Sequence, residues 1–407
     1  MSRCRRRTSR SACLILALAI STVVSACGAA VQSVAVSPSD LPTASALVAS
    51  PSAHASGDCA ALKLQAMDES RRIGQLFILG IEGDAASVAE VATLNSYHLG
   101  SIWLVNNRTG GAPAVRRLAD AIQALATPAN TDGVGFFVGA DQEGGQIQRI
   151  SGPGFSTIPP ATVQGTIAAS VLRADATAWG RELVAAGVNL DLAPVMDVVP
   201  PGADGSNEPI GALQREFGHD PATVGDHGAA VVQGMSDAGV ATTLKHFPGL
   251  GRVVGNTDTA AGVVDAVTSA DDPYLSAFRS GIAAGAPMVM ISLATYTKID
   301  PNHQAVFSRA IIEDLLRNRL GFEGVVVSDD LGAAKSVASM PAGDRAVGFV
   351  AAGGDLIVVV GTTAAAGMAA ALSARASSDA GFRALIDAAA LRVLRAKAAY
   401  GLLSCGG

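Results

Sequence analysis

The sequence predicts a single-domain α/β chain of the (β/α)8 TIM-barrel class, and three observations predict it. Short apolar runs alternate with longer Ala-rich amphipathic stretches, the runs number eight, and charged side chains gather just after them. Alternating βα units imply a parallel sheet, and continuous apolar strands fit burial on both faces. Eight units suit a closed barrel, which binds its ligands at the carboxyl ends of its strands. A doubly wound sheet is the other architecture compatible with the alternation; the count favours the barrel.

The 407-residue chain opens with five arginines and no acid in its first ten residues, followed by the apolar run SACLILALAISTVV. That run is short for a membrane span and reads as an export signal over residues 1–26. It ends in Val24-Ser25-Ala26-Cys27, which resembles a bacterial lipobox, so cleavage before Cys27 and lipidation of that thiol are expected. Losing five arginines takes the net charge from −6 to about −11, which makes the chain a poor candidate for binding nucleic acid or anionic lipid, and no nucleic acid partner is expected. Membrane association would come from the lipid, at the outer face of the cytoplasmic membrane. Residues 27–57 mix Ser, Ala, Pro and Val with almost no charge; they read as a flexible tether, with the barrel over 58–407. Cys59 and Cys405 flank the folded region, and export permits a Cys59–Cys405 disulfide. The six histidines are scattered without metal-ligand spacing, so no metal or cofactor is expected. A monomer is expected.

In order, the strands are expected at Gln75–Ile81, Gly100–Val105, Gly135–Ala140, Asn189–Val195, Ala241–His246, Met288–Ala294, Gly324–Ser328 and Asp355–Val360. Helices are expected at Val115–Ala126, Ile167–Ala186, Val224–Ala238, Arg309–Arg319 and Phe382–Tyr400. Polar residues follow the strands as a barrel demands. The third runs into Asp141-Gln142-Glu143-Gly144-Gly145, with Arg149 beyond, and the fourth into Asp197. The fifth ends in Lys245-His246 and the seventh in Ser328-Asp329-Asp330, while Arg215 lies in the long connection after the fourth. Any one of these could be a turn or cap aspartate; four on one rim form a site. Carboxylates among Asp, Arg, Lys and His suit glycosidic bond cleavage, in which one carboxylate attacks while an acid protonates the leaving oxygen. The clusters, glycine fingerprint and nucleophile elbow of metal, nicotinamide and serine chemistry are not found.

The motifs DQEGGQIQR, REFGHDP, KHFPGLG and VVVSDDLG together resemble glycoside hydrolase family 3, in particular its single-domain bacterial β-N-acetylglucosaminidases, over residues 60–400. The resemblance implies a (β/α)8 barrel and cofactor-free retaining hydrolysis of muropeptides or cell-wall glycans, with Asp329 as the nucleophile. It also implies sugar contacts from Asp141, Arg149, Arg215, Lys245 and His246, beside the strand-end Asp197. In that branch the loop after Lys-His-Phe-Pro-Gly usually ends in Asp-Ser-His, whose His is the acid/base. Here Asn256-Thr257-Asp258 stands at that offset. Asp258 is the expected proton donor, with Asp330 or Glu143 as substitutes. Within enzymes the alternatives are a β-glucosidase, a xylosidase or a broader β-hexosaminidase. Outside them, the alternative is a glycan-binding lipoprotein with weakened catalysis.

Overall fold

The computed structural model describes residues 53–404. The export signal, Cys27 and Cys405 lie outside the described residues, as does the tether up to residue 52. The first helix, α1 (Ala53–Ala66), begins inside the segment expected as tether; alanine-rich sequence favours helix once a packing partner is at hand. That partner is the last helix, Ala380–Ala399, and Cys59, Ala60, Leu64, Leu394 and Leu403 share one apolar cluster. Among the described residues, no helix is long and apolar enough to cross a membrane.

All eight strands are present: β1 (Phe77–Ile81), β2 (Ser101–Leu104), β3 (Phe137–Ala140), β4 (Leu190–Asp191), β5 (Ala241–Phe247), β6 (Met288–Ile291), β7 (Val325–Ser328) and β8 (Ile357–Val359). Each pairs in parallel with its sequence neighbours, and β8 returns to β1. Closure between β7 and β8 comes from the Val327–Leu356 bridge, with Leu356 N donating to Val326 O (3.0 Å) and Ser328 N to Leu356 O (2.9 Å). β4 is shorter than expected because Pro194 has no N–H to continue the ladder. Beyond it the contact continues through carbonyls, Thr243 N donating to Ala193 O and Lys245 N to Pro194 O. The expected helix at Arg309–Arg319 is present as Ala310–Arg319, but wound with wide π turns.

The strands are buried throughout, yet their two faces pack differently. Ile78, Phe137, Leu190, Ala241, Met288, Met290, Val325, Val327 and Val358 fill the barrel interior. Their neighbours Leu79, Val138, Val289, Val326 and Val359 face the helix layer. This alternation sets the site, because residues two apart share a face. Following Val325 and Val327 upward leads to Asp329, Phe137 leads to Asp141, and Ala241 leads to Lys245. At the opposite end the last helix plugs the barrel with Val393, Ala396 and Tyr400.

Candidate active site

A cleft of about 430 Å3 opens at the carboxyl ends of the strands. Its lining includes Trp103, Asp141, Arg149, Arg215, Lys245, His246, Asn256, Thr257, Asp258, Asp329 and Asp330. All the residues expected as nucleophile, acid or sugar contact but one therefore meet on one surface, which the substitute acid Glu143 does not line. The exception is Asp197, which is completely buried behind His246. Its Oδ2 lies 2.7 Å from His246 Nδ1, and its Oδ1 accepts from the amides of His246 (3.2 Å) and Leu250 (2.7 Å). Asp197 is thus corrected from a sugar contact to the group that orients the imidazole.

The floor is a closed ion network. Lys245 Nζ reaches Asp141 Oδ1 at 2.5 Å and Glu143 Oε1 at 2.6 Å. Arg215 grips Glu143 with two parallel bonds, Nε to Oε2 at 2.8 Å and Nη2 to Oε1 at 2.7 Å, the fork geometry that suits guanidinium and carboxylate. Trp103 Nε1 donates to Asp141 Oδ2 at 2.8 Å. Burial pushes Glu143 up, but Arg215 and Lys245 outweigh it and hold the carboxyl down at about 2. A carboxylate held so low is a poor proton donor, which removes Glu143 from the candidate acids. Burial likewise lowers Lys245, and Asp141 and Glu143 reverse it, so the ammonium is raised above its ordinary value. Beneath them Asp191 is buried, accepting from Gln142 N at 3.0 Å. Burial lifts it to about 7 against that bond and Lys245.

The opposite wall carries the uncompensated carboxylates. Asp329 Oδ1 accepts from Asp330 N at 2.8 Å. Burial and the neighbouring charge of Asp258 push Asp329 up to about 6, while His246 pulls it down. Asp329 therefore retains its proton to higher pH than an isolated aspartate would. Asp330 faces its own turn, taking the amides of Gly332 (2.8 Å), Ala333 (2.9 Å) and Val360 (3.0 Å). It is a turn cap, which leaves Asp258 as the exposed acid. Asp258 is held by its backbone: its N donates to Asn256 Oδ1 (2.9 Å), and Lys335 N and Ser336 N donate to the carbonyls of Asp258 (3.0 Å) and Thr257 (3.1 Å). These bonds tie the loop after β5 to the segment after β7.

Residues 69–396 match the model of the glycosyl hydrolase family 3 N-terminal domain. The chain belongs to glycosyl hydrolase family 3. It is 34% identical over 295 residues to a β-hexosaminidase of Stenotrophomonas maltophilia strain K279a, covering 70% of this chain and 83% of the relative. The solved structure of a β-N-acetylhexosaminidase from Beutenbergia cavernae DSM 12333 is 48% identical, with a TM-score of 0.80 over 81% of this chain and 98% of that one. A family 3 β-N-acetylglucosaminidase from Paenibacillus sp. str. FPU-7 is 29% identical, with a TM-score of 0.74 over 84% of this chain and 64% of that one.

This family 3 glycoside hydrolase departs from the expected site in three ways. Glu143 was expected as a substitute acid, not as the partner of Arg215, which lies 72 residues away in sequence; no spacing rule announces that pair. Trp103 was missed, although its place on β2, in step with the inward face, could have found it. Asp191 was missed because it falls inside the expected strand Asn189–Val195, where it was counted with the strand rather than with the polar residues that follow it. Arg149, by contrast, is where it was expected, its Nη1 donating to Asn107 Oδ1 at 2.9 Å.

Proposed function

We propose that this glycoside hydrolase is a retaining exo-β-N-acetylglucosaminidase that releases terminal N-acetylglucosamine from muropeptides or other cell-wall glycans. The observation that carries the reading is the placing of Asp329 and Asp258 on one wall of a cleft whose floor is closed by Trp103, Asp141 and Lys245. The similarity to a β-hexosaminidase and a β-N-acetylhexosaminidase supports the sugar assignment. In the first step the Asp329 carboxylate attacks the anomeric carbon. The glycosidic C–O bond breaks, and Asp258 gives its proton to the departing oxygen. Water then attacks the glycosyl ester, Asp258 takes the water's proton, and Asp329 leaves as carboxylate. This chemistry requires Asp329 as the carboxylate and Asp258 as the acid. Asp141, Lys245, Arg149, Arg215 and His246 hold sugar hydroxyls through charged hydrogen bonds. The closed floor admits a chain end rather than a chain middle.

Placement on the outer face of the cytoplasmic membrane rests on the lipobox-like Val24–Cys27. The proposed Cys59–Cys405 disulfide is supported by the shared cluster of Cys59 and Leu403; intact-mass measurement with two free thiols would remove it. Asp329→Ala is expected to abolish turnover of aryl N-acetylglucosaminides, by roughly 1,000-fold or more; full retained activity refutes the nucleophile. Asp258→Ala should cripple muropeptide hydrolysis while sparing activated aryl substrates, whose leaving groups need little protonation. Equal loss on both substrates refutes the acid assignment.

A further inference from the structure

The long loop between β4 and the helix Pro221–Ala238 brings together three side chains that the sequence keeps apart. Asp204 begins a short 3-10 turn, Glu216 follows Arg215, and His219 stands two residues before the helix. One oxygen from each carboxylate and one imidazole nitrogen all lie within 4.8 Å of one another. Asp204 Oδ1 is 3.5 Å from His219 Nδ1, and that nitrogen is 3.2 Å from the carbonyl oxygen of Val199. None of the three lines the catalytic cleft.

Clustered acids are common on protein surfaces and carry no meaning by themselves. Glu216 separates this group from them. It is only 1% exposed, and its Oε2 is buried with no hydrogen-bond partner among the described residues. Asp204 Oδ1 is likewise buried without one. Buried acceptors without donors are unfavourable, and here burial and the charge of Asp204 together push Glu216 up to about 7, with His219 opposing. A cation among these atoms would remove the desolvation and the repulsion at once.

We propose that Asp204, Glu216 and His219 bind one divalent transition cation of the zinc class. Two carboxylates and an imidazole are a donor set that zinc-class ions accept, whereas magnesium and calcium take oxygen alone. The Val199 carbonyl is at hand as a further oxygen donor, and water would complete the coordination. Glu216 directly follows Arg215, whose guanidinium clamps Glu143. The ion therefore fastens the outer loop to the cleft floor, a structural rather than a chemical role.

The test is calorimetric titration of the chelator-stripped, full-length protein with zinc chloride, alongside thermal melting. The wild type is expected to bind one equivalent and to melt at higher temperature with zinc. Glu216→Gln and His219→Ala are expected to weaken binding by at least about tenfold and to lose the thermal shift. His219 is partly exposed, so His219→Ala keeps the test decisive should Glu216→Gln fail to fold. The cleft carboxylates could attract zinc themselves, and Asp329→Asn is expected to keep its equivalent. Four outcomes would each overturn the proposal: no equivalent in the wild type, wild-type affinity in both variants, loss of the equivalent in Asp329→Asn, or magnesium binding as tightly as zinc.

Discussion

Two lysines are buried in this barrel, one at each end, and their surroundings give them opposite properties. Lys245 closes the floor of the cleft between Asp141 and Glu143, and its ammonium is raised. Lys397, on the last helix, reaches the amino ends of the strands and donates to Gln75 Oε1 (2.7 Å) and Gly100 O (2.6 Å). A side chain on Gly100 would run into both Gln75 and Lys397. With only neutral acceptors to offset burial, Lys397 falls to about 7. Burial alone thus says little about a lysine. Counter-charge makes one a fixed cation on the cleft floor, and its absence makes the other a structural plug.

The comparison can be broken most severely at the upper lysine. Lys245→Met leaves Asp141 and Glu143 facing each other without their cation. A loss of about 3–5 kcal/mol in denaturant unfolding is expected, together with a fall in kcat/KM of roughly 100-fold from misplaced sugar contacts. Unchanged stability would mean that the network is not the closed unit described. Lys397→Met should leave kcat/KM unchanged and alter the pH dependence of stability instead. Between about pH 7 and its ordinary 10.5, Lys397 is protonated in the unfolded chain and neutral in the folded one. The wild type should therefore gain roughly 2–4 kcal/mol across that window as pH rises. Melting or denaturation curves of Lys397→Met should lack that rise.

A smaller effect sharpens the contrast between the compensated floor and the uncompensated wall. Burial and the charge of Asp258 keep Asp329 protonated until about pH 6, and the proposed attack needs its carboxylate. With an activated aryl glycoside, kcat/KM should therefore rise by up to tenfold per pH unit towards about 6 and level off above it. Asp258→Asn should move that limb to lower pH, because the charge that raises Asp329 is gone. An unmoved limb would place the titrating group elsewhere.

The eight strands were legible because each belongs to a largely apolar run flanked by turn residues. The inward reach of Asp141, Lys245 and Asp329 was legible because they continue the two-residue step of Phe137, Ala241 and Val325. What could not be read depends on contacts between distant segments. Glu143 looks like a free acid until Arg215 is folded against it, and Asp197 looks like a rim residue until His246 covers it. Asp204, Glu216 and His219 have no metal-ligand spacing because a loop, not a helix or strand, brings them together. Pro194 was visible, yet its shortening of β4 follows only from the ladder it interrupts.

The bonds from Lys335 N and Ser336 N to the loop that carries Asp258 use main-chain atoms alone. They hold the loop's path whatever side chain position 258 presents. The side chain proposed as proton donor is therefore a replaceable part on a fixed mount. Asp258→His is expected to leave the melting temperature unchanged while changing which proton donor faces the leaving oxygen, so that related chains could exchange one for the other without rebuilding the cleft.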